Sequence, residues 1–163
     1  ENQTLHVIKI YSGADYHLIS LRYGPKDLEK IPMDNVADLV LYNGEFMKKN
    51  LYITQDPQLP EKTNSLSAIA VIEINRVTGQ ADYGVFKIDT MTAVTRETNQ
   101  TIKNELPLKT CDDVSEDTSI ILIKSGDSTR IYNEGACVIL EGKNGDDIMK
   151  VSDKLILHLL GVF

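Results

Sequence analysis

Apolar and polar positions in this chain alternate in short runs more often than they follow a helical period. Thr4 to Ile10 sets Leu5, Val7 and Lys9 against His6, Ile8 and Ile10, and apolar residues on both faces predict a buried strand. Ser12-Gly13-Ala14-Asp15 supplies a turn into Tyr16 to Tyr23, where Ile19-Leu21-Tyr23 is more apolar than Leu18-Ser20-Arg22, so a first hairpin is expected. Gly24-Pro25 breaks it, and Lys26 to Ile31 adds a short helical turn before Pro32. Leu39 to Tyr42 and Glu45 to Ile53 flank Asn43-Gly44, the strongest two-residue type I′ signal because both residues tolerate positive φ, and they predict a second hairpin. Gln55 to Ser65 places two prolines among polar residues and reads as a long exposed loop or linker.

Leu66 to Ile74 is a dense apolar run that predicts a strand, with Asn75 to Gly79 turning it back into a return strand over Ala81 to Ile88. Gly84 inside that return marks a bulge or a close backbone approach. Thr90 to Asn104 carries Met91, Val94 and Ile102 at roughly helical spacing, with Asp89 or Thr90 as cap, and is read as a helix although its threonines favour extended backbone.

From Cys111 onward the pattern is clearest. Ile120 to Ile123, Thr129 to Tyr132 and Ala136 to Leu140 form three strand runs, followed by a helix that Asn144 caps and Gly161 ends. Ile148, Val151, Ser152, Leu155, Ile156 and Leu159 fall on one broad face at 100° per residue, so the helix should lie across the sheet. Lys150 and Lys154 point away from that face, and Leu157 projects between Lys150 and Asp153. An apolar residue in that sector is either simply exposed or makes a second contact, to another element or another subunit. The expected fold is therefore α+β, an antiparallel β-hairpin meander with a C-terminal helix packed on the sheet. It forms one domain over 1–163, or a hairpin subdomain over 1–56 and a disulfide-stapled β-sheet plus helix subdomain over 66–163.

Composition narrows the function classes. The chain has 163 residues, 42% of them hydrophobic, enough for a core without a metal or cofactor. A formal charge of −7 with scattered lysines argues against a phosphate-binding surface, so nucleic acid is not an expected partner. No run of about 18 apolar residues exists to span a bilayer. The chain begins at Glu1 without a Met, as a chain does after removal of a signal peptide or anchor or after trimming. Asn2 and Asn99 each open an Asn-Gln-Thr glycosylation sequon, and with an even cysteine count they favour an exported, disulfide-bonded glycoprotein. Pairing Cys111 with Cys137 would close a loop of about 25 residues and destabilise the unfolded chain by roughly 3 to 4 kcal/mol in the chain-entropy description.

Catalytic chemistry finds little to build on. A serine or cysteine nucleophile needs a nearby base, and His6, His17 and His158 lie in no recognisable motif. His6 and His17 are expected to face each other across the first hairpin, and His158 suits the negative end of its helix. Asp112, Asp113, Glu116 and Asp117 could offer oxygen ligands to Ca²⁺, but their spacing is not that of an EF-hand and a solvated acidic loop explains them. Gly142-Lys143-Asn144-Gly145 lacks the spacing and the Lys-Ser/Thr ending of a phosphate loop. No enzyme activity, cofactor or metal is expected. Tyr42, Tyr52 and Tyr83 could stack on a small ligand or pack across strands.

The segment Cys111-Asp112-Asp113, then Thr118 to Tyr132, Cys137 to Gly142, Asp153-Lys154-Leu155 and Leu159 to Val162 resembles a C-terminal module of uncharacterised archaeal exported proteins, some of them surface-layer-associated. The resemblance covers about the last third of the chain, with weaker echoes in Ala70 to Phe86. It implies a cysteine pair around three strands and a closing helix, and a cell-surface setting. The resulting expectation is a non-catalytic extracellular structural subunit or ectodomain of an archaeal cell-surface assembly, a surface layer or filament. Its partners are copies of itself or other cell-surface proteins. Leu5, Val7, Ile8 and Ile10 are its candidate subunit contacts, through strand addition between subunits or, alternatively, pairing within the domain to Tyr16–Tyr23, and Leu157 is a further one. A ligand- or glycan-binding ectodomain is the alternative.

Overall fold

A computed structural model describes residues 4–80 and 84–163. The sequon at Asn2, the start of the expected return strand at Ala81 and the candidate stacking residue Tyr83 lie outside the described residues.

The chain opens with β1 (His6–Ser12) and β2 (Asp15–Leu21), an antiparallel hairpin closed by Gly13 at φ +63°, where a glycine carries no steric cost. The expected first hairpin is thus present, and β1 pairs within its own chain. Two short helices follow, α1 (Pro25–Leu28) and α2 (Ala37–Leu41), then a tight hairpin of β3 (Tyr42–Asn43) and β4 (Phe46–Met47). Leu39 to Leu41 are helical rather than extended, and Asn43 pairs with Phe46, so Gly44 and Glu45 form the turn in place of Asn43-Gly44.

The main sheet has five strands in the order β6-β5-β7-β9-β8: β5 (Asn50–Gln55), β6 (Asp89–Val94), β7 (Thr118–Ser125), β8 (Arg130–Glu134) and β9 (Cys137–Gly142). β5, β6, β7 and β9 run parallel, and only the edge strand β8 is antiparallel. This replaces the expected antiparallel meander with a mixed α/β sheet. The reason lies in α3 (Glu61–Thr78), which occupies the run read as a strand over Leu66–Ile74. Ser67, Ala70, Val71, Ile74, Val77 and Thr78 are its buried positions, a three-and-four spacing. A helix there is the crossover that parallel neighbours require. The boundary expected between residues 56 and 66 falls on the β5-to-α3 connection and the first turns of α3, with β5 between β6 and β7 in the sheet. Asp89–Val94, read as the start of a helix, is β6, and the helix α4 is confined to Asn99–Lys103.

One face of the sheet carries Leu51, Ile53, Ile121, Ile123, Val138 and Leu140 into a single core with α3 and α5 (Gly145–Leu159). The expected C-terminal helix is therefore on the sheet, capped by the Asn144 side chain, which accepts from Asp147 N–H at 2.9 Å. It ends as a Schellman turn: Val162 N–H donates to Leu157 O and Gly161 N–H to His158 O, with Gly161 at φ +82°. The alternate residues of the sheet, Thr54, Ile120, Cys137 and Ile139, are buried beneath a strap that runs between α4 and β7. Val94 and Lys109 bond it to the edge of β6, and Thr54 Oγ1 donates to Lys109 O at 2.8 Å. A disulfide joins Cys111 in the strap to Cys137 at the start of β9, with Cα atoms 5.3 Å apart.

Candidate functional site

Three polar residues in the second half of α5 hold the backbone of the segment that joins the hairpin to α2. Asp153 Oδ2 accepts the N–H groups of Arg22 and Tyr23 at 2.9 and 3.0 Å. Lys154 Nζ donates to the carbonyls of Leu28, Glu29 and Ile31 at 2.9, 3.4 and 2.7 Å. His158 Nε2 accepts from Val36 and Ala37 N–H at 3.2 Å each, which places its proton on Nδ1, facing Phe163 O at 3.2 Å. All three are buried, although the helical pattern assigns Lys154 to the solvent side. The sequence did carry a trace of this: Leu157, apolar in the supposedly polar sector, is 0% exposed and belongs to the core. Its second contact is therefore to other elements of this chain and not to another subunit, because α1 and the segment beyond it cover that side of α5.

The hairpin seated on this clasp is two-faced. Ile8, Ile19 and Leu21 turn inward onto the core, and His6, Ile10 and His17 share that side. Leu5, Val7, Tyr11, Tyr16 and Leu18 turn outward, and Val7, Tyr11 and Leu18 are 60%, 68% and 62% exposed. Of the candidate contact residues, Leu5 and Val7 are thus at the surface, while Ile8 and Ile10 are half-buried on the inner side. Lys9 stands over the outward tyrosines, its Nζ 4.1 Å from the Tyr16 ring centre and 5.2 Å from that of Tyr11. His6 lies opposite Leu21 and His17 opposite Ile10, so the two imidazoles do not face each other as expected. Neither edge of the hairpin pairs with another strand among the described residues.

Under the hairpin, Glu73 of α3 meets Asp153 and accepts an ion pair from Arg22 Nε at 3.5 Å. Burial first, and the Glu73 carboxylate second, push the Asp153 carboxyl up to about 7. A cavity of about 80 Å³ adjoins them, lined by Leu18 to Leu21, Glu73, Arg76 and Ile156.

Elsewhere, a shallower cleft of about 450 Å³ is lined by Asp38, Leu39, Tyr42, Asn43, Gly44, Lys48 and Ala136. Burial lowers the Lys48 ammonium from its ordinary value, and its Nζ donates to Ser115 O. Tyr52 lies under Lys109 Nζ at 4.8 Å, packed within the fold. In a parallel sheet the crevice at the strand carboxyl ends is the usual ligand site. Here Gln55, the last residue of β5, is bonded to Asn64 and Ser67, and Asp56 is held by Arg96. Of the acidic run, Asp113 caps Thr110 N–H at 2.8 Å and Asp117 pairs with Lys49 at 3.8 Å. Among the described residues no group of three or more His, Cys, Asp or Glu side chains gathers as a metal site, and no helix is long and apolar enough to cross a membrane. Asn99 is exposed at the first turn of α4, while its sequon partner Thr101 is buried and caps that turn.

No protein-family model, curated protein or solved structure matches the chain.

Proposed function

We propose that the chain is a non-catalytic structural subunit or ectodomain of an extracellular, cell-surface assembly, a surface layer or filament of archaeal type, and that it acts through contacts between subunits. The observation that carries this reading is the outward face of the β1–β2 hairpin. Leu5, Val7, Tyr11, Tyr16 and Leu18 leave an apolar and aromatic surface in water around Lys9, on a hairpin whose edges pair with no further strand among the described residues. Tyrosine-rich apolar surface and open edges are what strand addition and contact burial between copies use. The disulfide and the exposed Asn99 suit an oxidising, glycosylating compartment.

Light scattering over a concentration series tests the proposal. The wild-type chain is expected to associate as its concentration rises, and the double variant Val7→Glu, Leu18→Glu to remain monomeric with an unchanged melting temperature. Identical monomeric behaviour of both at all concentrations overturns it.

The cleft at Asp38, Tyr42 and Lys48 favours a second reading, a ligand- or glycan-binding ectodomain. Its size is that of a small-molecule site, and it sets an aromatic ring beside an acid and an amide. Saccharide binding that Tyr42→Ala abolishes would favour this reading over assembly.

A further inference from the structure

The base of the hairpin contains an electrostatic imbalance that backbone packing alone does not explain. Glu73 and Asp153 are within hydrogen-bond reach of one another in the joint between α3, α5 and the end of β2. One oxygen of each is occupied: Glu73 Oε1 by Arg22 and Asp153 Oδ2 by the N–H groups of Arg22 and Tyr23. The other two, Glu73 Oε2 and Asp153 Oδ1, are buried with no hydrogen-bond donor among the described residues. Two carboxylates can only accept, so two buried carboxylates within hydrogen-bond reach of each other repel unless a proton lies between them. We propose that the Glu73–Asp153 pair holds one proton between its carboxyl groups, and that this proton locks the β1–β2 hairpin onto the α3–α5 layer. The hairpin is seated in acidic solution and loosened as the pH rises toward neutrality.

Among the described residues, the surroundings give the pair little compensating charge. From the hairpin base it is faced by Arg22, already engaged with Glu73, and by Tyr23; from α3 by Arg76, which lines the adjoining cavity but is exposed. On α5 itself Asp146, Asp147 and Lys150 gather around Tyr23, one turn or more away. Glu29, beyond α1, faces Lys154 instead. The inner side of the hairpin also carries His6 and His17, whose imidazoles a variant at Asp153 leaves in place. The elevated carboxyl of Asp153 agrees with this geometry and sets the range of the effect, between mildly acidic and neutral pH. When the joint opens, water reaches both carboxyls and the proton leaves. Each pH unit inside that range therefore shifts the seated-to-open ratio by up to about tenfold. The inference stands whether or not the outward face of the hairpin contacts another subunit.

The test uses the full chain. Amide protection factors at Arg22 and Tyr23, corrected for intrinsic exchange, are measured at pH 5 and pH 8, and the Asp153 carboxyl carbon is titrated by NMR. In the wild type, protection is expected to fall at least tenfold between the two pH values, and the carboxyl carbon to titrate near neutrality. Asp153→Asn keeps an acceptor for both amides and is expected to make their protection independent of pH. Glu73→Gln supplies a donor in place of the proton and is expected to move the Asp153 midpoint at least one unit downward, which keeps the proposal testable should Asp153→Asn not fold. A wild-type midpoint below pH 5 overturns it. Protection that changes less than twofold, or that changes equally in Asp153→Asn, does so too.

Discussion

The Nζ of Lys154 stands 2.7 Å from the carbonyl oxygen of Ile31, and the same ammonium reaches Leu28 and Glu29. A residue that the helical pattern sends to solvent instead ends α1 and fixes the path toward α2. Lys154→Met keeps the length and removes the donor; Leu28 O still accepts from Ile31 N–H, but the half-buried Ile31 carbonyl loses its ammonium partner, at a cost of about 1 to 3 kcal/mol. At roughly 2 to 4 °C per kcal/mol for a chain of this size, thermal unfolding followed by circular dichroism should show a clear drop. Lys154→Arg is not expected to restore it, because a flat guanidinium cannot reach carbonyls arranged around a point.

Leu157 distinguishes a surface leucine from a core one. Fully buried among the residues of the main core, it should lose about 2 to 5 kcal/mol on replacement by alanine. A change within about 0.5 kcal/mol, the usual result at an exposed position, would contradict its placement. Urea unfolding with a shared slope measures the difference.

Stability should peak in mildly acidic solution. Asp153 binds its proton more tightly folded than unfolded, with a folded value of about 7 against 3.8, so its contribution is complete below the lower value and is lost as pH rises to the upper one. The loss is up to about 1.4 kcal/mol per pH unit in that window. Glu141 has the opposite sign. Burial raises its carboxyl, but the N–H of Ser128, Arg130 and Lys124 together outweigh burial and hold it below its ordinary range, so its contribution is lost as pH falls through the folded value. Asp56, held down first by Gln58 N–H and then by Arg96, acts in the same direction from the surface. Unfolding free energies from pH 3 to pH 9 should therefore pass through a maximum at about pH 4, and Asp153→Asn should flatten only the side that falls toward neutrality.

Reduction of Cys111–Cys137 should destabilise the chain by about 3.5 kcal/mol in the chain-entropy description for a loop of this length. The strap remains held by Lys109, Val94 and Thr54, so the first consequence is local. Limited trypsin digestion should cut after Lys103 or Lys109 sooner in the reduced protein than in the oxidised one. Equal cleavage times would show that the hydrogen bonds alone hold the strap.

What could be read from the residues was local. The turn at Gly13, the cap at Asn144, the glycine at 161 and the three strands between Thr118 and Gly142 each depend on nearby chemistry, and each is found. Leu66–Ile74 was misleading because Ile69, Val71, Ile72 and Ile74 are β-branched and lie in a run too short to show a period, whereas the helical spacing emerges only over Ser67 to Thr78. Once α3 is taken for a strand, the parallel pairing of β5 with β6 cannot be inferred. The threonines at 90 and 92 pointed correctly to extended backbone, and Thr90 Oγ1 meets Thr78 Oγ1 at 2.8 Å across the β6–α3 contact. The clasp on α5 was hidden for a different reason. Asp153, Lys154 and His158 satisfy backbone groups more than 120 positions earlier, and nothing local distinguishes such residues from a solvated helix face.

That separation has a consequence for synthesis. A growing chain cannot seat its opening hairpin until the ribosome has made the helix that receives it, so the hairpin's inward apolar face stays uncovered through most of translation. The inward residues Ile8, Ile19 and Leu21 must be kept from other apolar surfaces until the last turn of that helix has emerged.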